Sequence, residues 1–135
     1  MDKQPDQLVF DALFGLSQGL GFDTYTFLPD LDAGYPFVEI GDTHLLPSPT
    51  KGLLYGRVTA TVHVWHDMYN RKELSDIIGQ LMQAFSGIQV LEGLRFALDR
   101  TSTSQIIKDD STDEMLYHGI LNLEFRFVFA GKENK

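Results

Sequence analysis

Gly56-Arg57-Val58-Thr59-Ala60-Thr61-Val62-His63-Val64-Trp65-His66-Asp67 alternates apolar residues with polar or amphipathic ones, and a helix-patterned segment follows it directly. Successive side chains of a strand point to opposite sides. A strand over 57–66 therefore puts Val58, Ala60, Val62 and Val64 on one face and Arg57, Thr59, Thr61, His63 and Trp65 on the other. The first face belongs against helices, and the second is left for solvent or a partner. Downstream, Leu74, Ile77, Ile78, Leu81 and Phe85 recur at helical spacing, forming one apolar stripe on a helix over 70–86. Asp67 or Asn70 is placed to cap its start and Gly87 to end it. A helix of this length is marginal alone in water, so it forms by docking that stripe on the sheet.

Upstream, Tyr35-Pro36-Phe37-Val38-Glu39-Ile40-Gly41 supplies a mostly apolar strand over 37–40, which reads as central. Residues 41–56 carry Pro47 and Pro49, which forbid a central strand, so a long loop or hairpin arm is expected there. Its apolar residues Leu45, Leu46, Leu53, Leu54 and Tyr55 either fold back on the core or dock into a neighbouring subunit, with His44 beside them. Nearer the N-terminus, Leu8, Val9, Ala12, Leu13 and Leu16 line one face of a helix over 6–18, with Phe10 and Phe14 flanking. So wide an apolar face implies contact with two surfaces. Gly19-Leu20-Gly21 stops that helix, and a short strand over 22–27 follows. Further strands are expected over 94–98, 102–107 and 117–129. In the last of these Tyr117, Gly119, Leu121, Leu123, Phe125, Phe127 and Phe129 share a face, and His118, Asn122, Glu124 and Arg126 take the other. A polar turn over 108–114 joins the final two strands, and the tail over 131–135 is expected to fray.

The 135 residues suit one α+β domain. Hydrophobic residues make up 43% and charged residues 22%, enough apolar material for a core. Cysteine is absent, which removes disulfides, thiolate catalysis and Cys-ligated zinc. The polar N-terminus leads to the expectation of no signal peptide, and no apolar run approaches a membrane span. The net charge of −8 disfavours a sequence-independent grip on phosphates, which draws on Lys and Arg. Such acidity serves solubility, or it marks a surface that a polyanion passes without sticking.

No chemistry-bearing motif emerges. His63 and His66 are three positions apart and point to opposite faces of a strand. His118 shares a face with His63, while His44 lies in the arm, so none has ligand spacing and no metal or cofactor is expected. Asp109, Asp110, Asp113 and Glu114 lack the order and glycine of an EF-hand. No nucleophile elbow or phosphate loop is present, and no enzymatic role is expected.

In order, an N-terminal helix, P-F-V-E-I-G, a Pro-containing loop, a strand ending V-H-V-W-H-D, a Leu/Ile helix and a terminal aromatic strand resemble the tail terminator and tail-completion proteins of long-tailed bacteriophages. The resemblance covers most of the chain. It implies two helices on one face of a mixed, mostly antiparallel sheet. It also implies a ring, hexameric in that family, that caps the tail tube, stops its polymerisation and meets the head connector. DNA would pass through without specific binding, and Asp109, Asp110, Asp113 and Glu114 become candidates to face the channel. The assembly interface would draw on His44, Leu45, Leu46, Leu53, Leu54 and Tyr55, and on Arg57, Thr59, Thr61, His63 and Trp65. The implied location is the virion tail, assembled in the bacterial cytoplasm. Two competing readings are another head–tail adaptor, and a small ligand-binding domain with His63, His118 and Glu124 converging in a pocket.

Overall fold

The computed structural model of the chain describes residues 3–50 and 52–130. Its elements are α1 (Pro5–Gly19), β1 (Thr24–Tyr25), a 3-10 turn (Leu31–Ala33), β2 (Phe37–Ser48), β3 (Gly52–Asp67), α2 (Arg71–Ser86), β4 (Val90–Leu91), β5 (Leu94–Leu98), β6 (Thr103–Asp109) and β7 (Leu116–Phe129). The strands run β1-β2-β3-β7-β5-β4, and β6 takes the part of the β7 edge that β5 leaves open. Only β1–β2 is parallel, so the sheet is mixed and mostly antiparallel. The architecture is the expected α+β one. The tail over 131–135 lies outside the described residues.

The long β3–β7 pairing carries the core. Val58, Ala60, Val62 and Val64 lie opposite Phe125, Leu123, Leu121 and Gly119. All are buried on the face that receives the helices. From α2, Leu74, Ile77, Ile78, Leu81 and Phe85 enter this layer, as the spacing predicts. Leu8, Val9 and Leu13 enter it from α1, which packs on β2, β3 and α2 together, so its wide apolar face does meet two surfaces. His66 also points inward. Its Nδ1 accepts the Asp67 N–H at 2.9 Å, and its Nε2 lies 3.1 Å from the Glu73 carboxylate, out of hydrogen-bond alignment. Asp67 Oδ1 accepts the Tyr69 N–H and the Asn70 side-chain amide, turning the chain from β3 into α2.

Of the long loop or hairpin arm expected over 41–56, the structure forms the hairpin. β2 continues through Ser48 and remains paired with β3, from His44↔Thr59 to Pro47↔Gly56 and Ser48↔Gly52. Proline cannot donate to a ladder, which excludes it from central strands but not from edges. β1 pairs β2 only at Val38 and Glu39, so the stretch carrying Pro47 is an edge. A bulge at Gly41-Asp42, opposite Thr61, lies at the base of the arm, where such insertions bend the strand and tighten its twist. A Cβ on Gly41 would stand 2.9 Å from the Thr61 carbonyl oxygen, so glycine is required there.

Gly119 is the position where α2 approaches the sheet most demandingly. A Cβ there would meet Ile78 Cδ1 at 2.7 Å and Leu74 Cδ1 at 3.4 Å. Gly119→Ala should overpack this contact and cost about 1–3 kcal/mol. That would appear as a lower urea midpoint with unchanged far-ultraviolet circular dichroism.

Candidate assembly surface

The sheet face away from the helices has two unlike halves. Around the Asp67 end of β3 it is aromatic. Trp65 stacks on His118 with ring centroids 3.8 Å apart, and Phe37 stacks beyond Trp65 at 6.4 Å. Tyr35 stacks on Phe37, and Tyr25 meets it edge-on, both at 5.7 Å. Strand register produces this row, because Phe37, Trp65 and His118 are directly opposite one another on β2, β3 and β7. Leu28, Pro29, Asp30 and Tyr35 from one side, and Ser111, Thr112 and Leu116 from the other, enclose a cavity of about 70 Å³ with Phe37 and Trp65. Trp65 is thus partly buried under loops, as part of a small second core, and His63 beside it on the strand is also partly buried.

His63 Nδ1 and His118 Nε2 lie 2.8 Å apart, so one ring must donate and the other accept. Burial, and then the neighbouring His63, pushes His118 down from 6.5 to about 4, with Asp109 at 3.9 Å opposing the shift. Hydrogen bonds from the Ser111 side chain and N–H hold Asp109 below the usual carboxylate range. Glu124 does not join the histidines. It lies four residues along β7 from Ile120, the residue opposite His63. There it accepts from Arg57 at 2.6 Å and from Thr101 at 3.0 Å. The convergence required by a ligand-binding reading is therefore not formed. Among the described residues, no three His, Asp or Glu side chains come together as metal ligands.

Toward the arm the same face becomes basic and apolar. Leu46 is 49% exposed, Tyr55 46% and Val128 46%. His44 is exposed, while Leu45 packs partly against the core. The side chains of Leu53 and Leu54 lie outside the described residues. Thr59 and Thr61 sit on the face with Arg57, partly buried. Arg57 is directly opposite Arg126 on β7, a like-charge pairing that costs stability unless neighbours compensate. Glu124 compensates Arg57, and Asp99 lies 3.7 Å from Arg126. Arg95 has no carboxylate partner among the described residues. Between the arm and β5 these side chains line an open groove of about 1130 Å³. Arg95 and Val128 were not legible as site residues, because only the Tyr55↔Val128↔Arg95 register unites them. The exposed Asp110, Asp113 and Glu114 cap the opposite end of β7, beyond Leu116.

Neutral His118 in the folded state sets the sign of a pH effect. Unfolded chains take up a proton near 6.5 that the folded chain refuses until about 4, so this stabilisation is complete above 6.5 and is lost as pH falls toward 4. Urea midpoints should fall across that interval, and His118→Gln should flatten the fall. An equal slope in both proteins would contradict the assignment.

Comparison with known proteins identifies the family. No protein-family model matches the chain. Tail completion protein gp17 of Bacillus phage SPP1 is 33% identical to it over 98 residues, 72% of this chain and 71% of gp17. The solved structure of bacteriophage SPP1 gp17 has a TM-score of 0.55 at 28% identity, covering 99% of this chain and 100% of that one. Sequence and fold thus agree over a two-helix, mixed-sheet domain, and the chain belongs to the gp17 family of bacteriophage tail completion proteins, structural components of the phage tail.

Proposed function

We propose that this tail completion protein caps the finished tail tube, stops its polymerisation and forms part of the head–tail joint, acting as a closed ring with six copies as the expected number. Kinship with SPP1 gp17 is the observation that carries the reading, and the arm supplies a means. A paired hairpin ending in a Pro49-Thr50 turn reaches past the core and presents Leu46 and Tyr55 to the outside. Closed rings need two different complementary patches on each copy. The arm with its groove is one, and the remaining acidic surface offers the other.

In this reading the protein joins the tail-tube protein on one side and a head-completion or connector protein on the other, within the virion tail and after assembly in the bacterial cytoplasm. No step requires a cofactor or a catalytic group. Six copies at −8 each would carry −48, which lowers the affinity of the inner wall for phosphates and lets DNA pass.

Replacing residues 47–56 by Asn-Gly should close β2 on β3 through a two-residue turn next to the Leu46↔Arg57 pair. The shortened protein should fold as a monomer yet fail to cap tubes, which would go on lengthening in electron micrographs. Capping at the parental efficiency would remove the arm from the mechanism. Parental protein that binds the portal side but not the tube would make it a head–tail adaptor instead.

A further inference from the structure

The long β3–β7 pairing has chemically opposite ends. At the arm end, Arg95, Arg57 and Arg126 lie among the exposed apolar side chains Leu46, Tyr55 and Val128. At the other end, the turn between β6 and β7 exposes Asp110, Asp113 and Glu114, with no Lys or Arg partner among the described residues. Exposed Ile107 and Met115 flank that turn. The acidic end is uncompensated among the described residues, while at the arm end Arg95 has no carboxylate partner there and Arg126 meets only Asp99, at 3.7 Å; both ends add exposed apolar area. With a strand rise of about 3.3 Å per residue, roughly 40 Å separates Leu116 from Val128, so the two ends of one molecule cannot satisfy each other.

We propose that the groove between the arm and β5 receives the acidic 109–115 turn of a neighbouring copy, with Arg95 and Arg126 taking its carboxylates and Leu46, Tyr55 and Val128 covering Ile107 and Met115. The contact rests on the ring reading above and deepens it by naming both halves of the interface. It is head-to-tail, since the surface used on one copy differs from that on the next, and such contacts generate rings when the rotation closes. Exposed ion pairs contribute little individually. The apolar side chains therefore provide the adhesion, and the charges set register and partner choice. In this arrangement Asp110, Asp113 and Glu114 are spent on the neighbour and do not face the channel.

Absence of cysteine makes a direct test available. Arg95→Cys and Asp113→Cys proteins, mixed and oxidised, should give the 95–113 heterodimer in several-fold excess over random pairing, and the double variant should give a ladder of linked oligomers. Adding Arg126→Glu, or raising the salt, should return the yield toward random. Random pairing in the first mixture, or a yield indifferent to Arg126→Glu, would overturn the contact. Light scattering and tube capping by the parental protein report on the ring separately. Capping together with random cross-linking leaves the ring standing, removes this interface and frees the acidic turn to face the channel. Failure of both removes both.

Discussion

Thirteen residues of each strand, from Tyr55↔Val128 to Asp67↔Leu116, form the antiparallel pairing on which both surfaces of this protein depend. The strands are separated in sequence by α2 and three shorter strands, so the pairing forms only after a long chain closure and must be specified strongly. Side chains specify it. Sliding β7 by one residue would carry Leu121, Leu123, Phe125 and Phe127 from the helix face to the outer face and strand the core. The same slide would separate Trp65 from His118 and Arg57 from Glu124. The inner pattern thus fixes the outer one.

Along this ladder the protein divides its labour. Near β1, short connections close over the outer face and convert an otherwise open half of the sheet into a second, aromatic layer around Trp65. At the arm end nothing among the described residues closes over the sheet in the same way, and Leu46, Tyr55 and Val128 stay exposed. A monomer seldom exposes neighbouring apolar residues of this size without a use for them. The edge character of β2 beyond Ile40 explains how prolines and a bulge are accommodated there.

Electrostatics follows the same axis. The chain is strongly acidic overall, yet Arg57, Arg95 and Arg126 gather on one end of one face. Cross-strand register brings them there and, among the described residues, places Glu124 and Asp99 to balance two of them. A structural component of a phage tail must meet other tail or head proteins, and segregating charge along the molecule gives its two ends different partners to favour.

Much of the fold was legible because periodicity is a local property. The α2 stripe, the inner face of β3 and the β7 alternation each need only neighbouring residues to be read, and the structure reproduces all three. The arm was legible as a long loop or hairpin, but its full pairing was not, because Pro47 forbids only central strands and edge position is decided by how far β1 extends. His63 and His118 could be assigned to one face, but not to a 2.8 Å contact, since that requires the register of β3 on β7. Likewise the arginine groove joins residues from β2, β3, β5 and β7 that no spacing in the chain connects. The amino-acid order by itself determined which side chains share a face; only the folded sheet decided which of those faces meet, because partners across strands are chosen by burial of the whole core rather than by any neighbour in the chain.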